Sequence, residues 1–184
     1  MTSKAGYTAS CTCGQVALEA SGAPILSAVC YCESCRLAGR ALEQVPGAPA
    51  VLNADGGVDY CLYRKDRVKV LQGGAFLREH RLTPTSPTRR VVASCCGAPM
   101  FLDFTKGHWL TLYRDRLPKD APLPEMGVMA KDRPPGSASG HYTDLSGAPA
   151  EVHDQTADRM GCDGFPAARG DVVMGSASSG QGFS

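Results

Sequence analysis

Seven cysteines arranged in three short groups restrict this 184-residue chain more than any other feature of its sequence. In chain order, the groups are Cys11 with Cys13, Cys30 with Cys32 and Cys35, and Cys95 with Cys96. The total of nine cysteines is odd, which argues against complete disulfide pairing, and clustered thiols in a reducing compartment are more often metal ligands or catalytic groups. Redox use of Cys32 and Cys35 is the alternative, although the βαβ pattern of a thioredoxin-type site is missing. The grouping therefore predicts metal binding.

The first and third groups predict one shared site. Residues i and i+2 of a strand face the same side about 6.6 Å apart, and side chains that lean together bring two sulfurs near the ~3.8 Å that tetrahedral zinc requires. Cys11 and Cys13 can therefore fill two corners, with further ligands from the region of Cys95 and Cys96. Such a site would connect distant strands and stabilise a domain with a small core.

The second group, Cys30, Cys32 and Cys35, places three thiols within six residues. Three protein ligands leave the fourth position of zinc open for water or a substrate atom, which is the arrangement of catalytic sites. Zinc in that setting can ionise a bound thiol or polarise a carbonyl near neutral pH. His80 and His108 are candidates for a fourth zinc ligand. The alternative is that each is a surface residue, because its sequence neighbours are polar. The expected cofactor is Zn²⁺, as one or two ions.

The pattern before residue 118 predicts a small, mainly antiparallel β domain. β-branched and aromatic residues mark short strands, separated by turn residues such as 55–57, 73–74 and the proline run 83–87. Only residues 33–44 are long enough for a helix of more than two turns. The predicted strands cover residues 15–20, 59–63, 68–71, 90–93 and 110–113.

The chain is divided by composition into a domain, 1–117, and a tail, 118–184. The domain has 14 basic and 9 acidic residues, and the tail has 5 and 9. Proline and glycine make up about a quarter of the tail, which is typical of poorly structured segments, so we expect it to be largely disordered. The balanced total charge gives no reason to expect nucleic acid. No apolar run suits a membrane span or a secretory signal, so a cytoplasmic protein without a membrane partner is expected.

The ordered motifs resemble those of a known family. Cys-x-Cys-Gly-x-Val at 11–16, Cys-x-Cys-x-x-Cys-Arg at 30–36 and the Arg-Arg pair before a Cys-Gly-x-Pro run at 96–99 are similar to the glutathione-dependent formaldehyde-activating enzymes and centromere protein V. The resemblance implies an Mss4-like fold of antiparallel β-sheets clasped by zinc, with a four-cysteine structural zinc and a second, three-cysteine zinc. It further implies a carbon–sulfur lyase that joins a small thiol substrate, glutathione, to formaldehyde as S-hydroxymethylglutathione. The alternative function is a non-catalytic zinc-folded module for protein interaction.

The third motif departs from the family pattern. The family has Cys-x-x-Cys-Gly there, but this chain has Ala93 at the first of those positions and an additional cysteine, Cys95, directly before Cys96. The resemblance carries Cys11, Cys13 and Cys96 over onto the structural site. Cys95 can supply the fourth ligand, point toward the second zinc or remain free, and adjacent residues of an extended strand face opposite sides.

The remaining candidates have more than one interpretation. Cys61, within a predicted strand, is expected to be a small buried apolar residue, and Cys162, in the tail, has no expected role. Arg36, Arg89 and Arg90 can bind a substrate carboxylate, lie on the surface, or donate hydrogen bonds to a thiolate.

Overall fold

The computed structural model of the chain describes residues 6–137 and 142–145. In these residues it contains one α-helix, α1 (Glu33–Glu43), and eleven strands. The strands are β1 (Gly6–Ser10), β2 (Ala17–Ser21), β3 (Leu26–Cys30), β4 (Val58–Arg64), β5 (Val68–Gln72), β6 (Leu77–His80), β7 (Thr88–Ala93), β8 (Ala98–Phe104), β9 (Trp109–Tyr113), β10 (Met126–Val128) and β11 (Thr143–Leu145). The predicted mainly β fold is confirmed. No helix in the described part of the chain is long and apolar enough to cross a membrane.

The strands form two sheets. The small sheet has the order β1-β2-β5, and the large sheet has the order β11-β10-β3-β4-β9-β8-β7-β6. All pairings are antiparallel except the two that β10 makes, with β3 and with β11. The three cysteine groups lie at strand ends, in the β1–β2 loop, at the end of β3 and in the β7–β8 turn.

Each face of the large sheet has its own packing partner. One face shares a hydrophobic core with the small sheet, to which Leu18 contributes from β2 and Tyr63 and Leu112 from the large sheet. The other face packs against α1, whose buried residues recur every three or four positions, so that Leu42 lies in one cluster with Tyr60. Successive residues of a strand point to opposite faces, which explains how β4 serves both cores.

Each predicted strand and the predicted helix is present in the structure, with ends that differ from the predicted ones. The five predicted strand segments correspond to β2, β4, β5, β7 and β9, and the predicted helix corresponds to α1. Cys61 is fully buried between the sheets, which confirms the prediction of a small apolar residue. The proline run 83–87 lies between β6 and β7, where no ladder hydrogen bonds are needed.

The segment after residue 117 contributes to the large sheet. Met126 pairs with Ala28 and Val128 pairs with Cys30, both in parallel register, and β11 then pairs with β10. Backbone hydrogen bonds therefore position residues 125–128 against β3 and position β11 against β10. The prediction of disorder for the rest of the tail, together with Cys162, falls outside the described residues.

Candidate metal centres

The first candidate centre is a four-cysteine cluster, formed by Cys11, Cys13, Cys95 and Cys96, whose Sγ atoms all lie within 4.8 Å of one another. The Sγ atom of Cys13 lies 3.6 Å from that of Cys11 and 3.4 Å from that of Cys95, and the Cys11 and Cys95 sulfurs are 3.9 Å apart. Tetrahedral zinc with Zn–S bonds of about 2.3 Å places its sulfur ligands about 3.8 Å apart. The donor set and its spacing therefore fit a zinc ion.

A tight turn between β7 and β8 explains how two adjacent cysteines enter one cluster. The N–H groups of Cys96 and Gly97 both donate to the carbonyl oxygen of Ala93, at 3.2 and 2.9 Å. Gly97 has a φ of 69°, a left-handed conformation that glycine adopts without a Cβ penalty. The turn replaces the opposite-facing geometry of an extended strand, so Cys95 joins the cluster while Ala93 stays in the hydrophobic core.

The thiols of this cluster compete for protons. Burial raises the pKa of Cys96, but the backbone N–H groups of Cys13 and Ala98 and the neighbouring thiols outweigh it and bring the pKa to about 6. Burial and the thiols of Cys13 and Cys11 raise the pKa of Cys95 to about 12. One thiolate therefore forms readily and opposes the ionisation of its neighbour. A divalent cation removes this conflict because it stabilises every thiolate at once.

The second candidate centre is a three-cysteine cluster, formed by Cys30, Cys32 and Cys35, whose Sγ atoms also lie within 4.8 Å of one another. Cys30 ends β3, Cys32 caps the N-terminus of α1, and Cys35 lies in the first turn of that helix. The N–H groups of Cys35 and Arg36 both donate to the carbonyl oxygen of Cys32 at 3.1 Å, which closes the first turn around the cluster. Within residues 6–137 and 142–145, no further Cys, His, Asp or Glu joins these three thiols.

The protons of the three-cysteine cluster are unevenly distributed. Hydrogen bonds from Cys30 and Cys35 lower the pKa of Cys32 to about 2, and the hydroxyl of Ser34, 3.3 Å from the Cys32 sulfur, contributes in the same direction. The hydrogen bond to Cys32 in turn raises the pKa of Cys30 well above its ordinary value. The peptide dipoles at the N-terminus of α1 favour negative charge here. The cluster therefore carries a thiolate at neutral pH and fits a divalent metal with one coordination position left by these ligands.

Aromatic residues form the wall between this cluster and the large sheet. Tyr60 and Tyr113 are buried, pack with Cys35 in one hydrophobic cluster, and have ring centroids 5.1 Å apart. Burial, followed by the Cys35 charge, raises the pKa of the Tyr60 hydroxyl well above the usual range. This wall limits the access of water to the cluster from the sheet side.

Tyr31, between Cys30 and Cys32 in the chain, belongs to a group of contacting residues that the sequence did not indicate. The Tyr31 hydroxyl contacts both Asp55 and the Tyr142 hydroxyl, and the Arg133 guanidinium lies 4.4 Å from the centroid of the Tyr31 ring. Asp55 and Tyr142 lie 24 and 111 residues from Tyr31, so no local pattern connects them.

Arg36 of α1 contacts the segment after β10, because its Nη1 donates to the carbonyl oxygen of Asp132 at 2.7 Å. The segment after β10 is thereby held over the start of α1.

The predicted arginines and histidines occupy different environments. Arg89 pairs with Asp103 at 2.8 Å, whereas Arg90 is 1% exposed and donates to a carbonyl of α1. His80 lies opposite Arg90 in the β6–β7 register, and His108 contacts Trp109 edge to face. Neither histidine belongs to either cysteine cluster.

Comparisons with known proteins gave one family match and one similar solved structure. The sequence model of the family described as "Glutathione-dependent formaldehyde-activating enzyme" matches residues 6–114, which include both clusters. No curated protein matches the chain. A crystal structure of a Rhodobacter sphaeroides protein is 16% identical with a TM-score of 0.45, over 64% of this chain and 97% of that one.

Proposed function

This chain belongs to the family of glutathione-dependent formaldehyde-activating enzymes, whose model covers more than half of it, and on that premise we propose that it is a zinc-dependent carbon–sulfur lyase. Its substrate class is the adduct of a thiol, such as glutathione, with a small carbonyl compound, such as formaldehyde. The observation that carries the proposal is the three-cysteine cluster, which supplies three soft ligands and leaves a coordination position open. The four-cysteine cluster has a structural role, because it supplies a complete ligand set.

The residues around the three-cysteine cluster support a reacting centre. A zinc ion bound there would lower the pKa of a substrate thiol and would act as a Lewis acid. Cys30, Cys32 and Cys35 would hold that ion from a strand end and a helix start, two regular elements that fix the directions of the three sulfurs. Tyr60 and Tyr113 keep water from the sheet side. The N-terminus of α1 stabilises the negative charge of the bound sulfur atoms.

The proposed reaction is balanced without a further reactant. In the synthetic direction, the substrate thiol loses its proton, a bond forms between its sulfur and the carbonyl carbon, and the carbonyl oxygen gains the proton to give a hydroxymethyl thioether. In the lyase direction, the same carbon–sulfur bond breaks, and thiol and aldehyde are released. No redox change occurs at carbon or at sulfur.

The test compares the metal-loaded parent with Cys32→Ser. In two-dimensional exchange NMR of a glutathione and formaldehyde mixture, we expect the parent to accelerate exchange between free and hydroxymethylated glutathione, and Cys32→Ser to remove the acceleration. Cys61→Ala is the matched control, because Cys61 is a buried thiol outside both clusters, and it should retain the acceleration. Retention of one zinc ion by Cys32→Ser reports that the four-cysteine cluster is still folded.

A parent that binds two zinc ions and leaves the exchange at the buffer rate would refute the lyase proposal. The outcome would favour the alternative function, a non-catalytic zinc-folded module for protein interaction, because both ions would then serve the fold alone. An accelerated exchange that survives in Cys32→Ser would place the chemistry outside the three-cysteine cluster.

A further inference from the structure

A buried positive charge lies beneath the three-cysteine cluster. Arg90, on β7, is 1% exposed and is the largest of the fully buried side chains in the described part of the chain. Its Nη2 atom donates to the carbonyl oxygen of Ser34 at 3.0 Å, and its Nε atom has no hydrogen-bond partner. No carboxylate within residues 6–137 and 142–145 forms an ion pair with it. A guanidinium carries a positive charge and offers only hydrogen-bond donors.

The adjacent arginine shows that this lack of a carboxylate is specific to Arg90. Arg89 points to the other side of β7, where its guanidinium forms ion pairs with Asp103 at 2.8 Å and Glu79 at 3.4 Å. His80, opposite Arg90 in the register, offers no negative charge. Burial of an unpaired charge is strongly unfavourable, and buried charges in natural proteins are therefore usually paired with an opposite charge.

The position of Arg90 identifies the missing negative charge. The carbonyl that it binds belongs to Ser34, which lies between Cys32 and Cys35 in the first turn of α1. Cys35 belongs to the hydrophobic cluster against which Cys30, Cys32 and Val92, two residues after Arg90 on β7, also pack. Three thiolates around one divalent cation leave one net negative charge on the cluster.

We propose that Arg90 is the buried counter-cation of the three-cysteine cluster and selectively stabilises its metal-bound state. The inference rests on the proposed zinc ion at Cys30, Cys32 and Cys35 and assigns Arg90 as a positioning residue that makes no contact with substrate. Its charge offsets the excess negative charge of the ion and its thiolates across the first turn of α1. The carbonyl of Ser34 fixes the guanidinium in that place.

The experiment compares Arg90→Gln, which keeps a hydrogen-bond donor without charge, with Arg90→Lys, which keeps the charge. Arg89→Gln is the matched control, because it removes the same charge from the next residue on the opposite face. Zinc affinity of each cluster is measured in the full chain by competition with a chelator, and Co²⁺ is used as the spectroscopic probe of thiolate coordination. We expect Arg90→Gln to weaken binding at the three-cysteine cluster by about 10- to 100-fold, the range for residues that support metal ligands. Arg90→Lys and Arg89→Gln should remain near the parent.

Each result has a defined meaning. Equal weakening of zinc binding by Arg90→Gln and Arg90→Lys would assign the effect to the shape of the side chain and overturn the proposal. Unchanged zinc affinity in Arg90→Gln would also overturn it. If Arg90→Gln fails to fold, the double variant Arg90→Gln with Cys32→Ser is tested, because the second substitution removes the excess negative charge of the cluster. A double variant that folds supports the proposal, and one that stays unfolded overturns it. A parent without zinc at Cys30, Cys32 and Cys35 would instead refute the proposed function on which the inference rests.

Discussion

Replacing Cys95 by serine removes one of the four sulfur atoms that connect the β1–β2 loop to the β7–β8 turn. The Cys13 and Cys95 sulfurs lie 3.4 Å apart although the residues are separated by 82 positions in the chain. A metal ion at this cluster therefore closes a long loop of the polypeptide. Serine oxygen is a harder and weaker ligand for zinc than thiolate. We expect Cys95→Ser to lose one zinc ion and retain the other.

The size of the stability loss follows from loop closure. Closing a loop of 82 residues in the unfolded chain reduces its entropy by an amount equivalent to about 4.5 kcal/mol at 25 °C. This value is comparable to the lower end of the total stability of a domain, about 5–15 kcal/mol. With a urea dependence of about 2 kcal/mol/M, the unfolding midpoint should fall by about 2 M.

The assay is urea unfolding followed by the fluorescence of Trp109, the single tryptophan, combined with metal analysis. Cys61→Ala is the control, because it changes a buried thiol that belongs to neither cluster and should keep both ions. A Cys95→Ser protein that retains two zinc ions and the midpoint of the parent would refute the reasoning, and Cys95 would then be no ligand.

Two further predictions concern the turn and the free thiols. Gly97→Ala places a Cβ atom 2.9 Å from the Ala48 Cβ and keeps the backbone left-handed. Gly47→Ala is the control, because it has the same backbone strain of ~1–2 kcal/mol but nothing within 4 Å of the new Cβ, so Gly97→Ala should destabilise the protein more. Urea unfolding of both variants measures the two losses, and equal losses would contradict the prediction. In the metal-depleted protein, the pKa of about 2 keeps Cys32 ionised, so its alkylation rate, followed by mass spectrometry, should be constant between pH 5 and pH 8. A rate at Cys32 that rises about tenfold per pH unit, as for an ordinary thiol, would contradict the assigned charge distribution.

Local sequence patterns predicted five of the eleven strands in the described residues and missed the others, which include the seven-residue β8 as well as the three-residue β10. β4 and β9 could be recognised because both are rich in β-branched and aromatic residues, such as Tyr60 in β4 and Tyr113 in β9. β10 has three residues within a proline-rich segment, and its extended conformation depends on pairing with β3. The local sequence of Met126–Val128 does not indicate that a partner strand lies beside it.

The cysteine spacing by itself determined that thiols from separate segments would gather, because two cysteines two residues apart on an extended chain, or at the start of a helix, can face one point. Only the tertiary structure decided that Cys95 shares a cluster with Cys96, since that requires the left-handed turn at Gly97 rather than an extended strand. It also decided that Arg89 finds carboxylates while Arg90 is buried beneath α1, because adjacent residues of a strand point to opposite faces and the sequence does not state which face is covered.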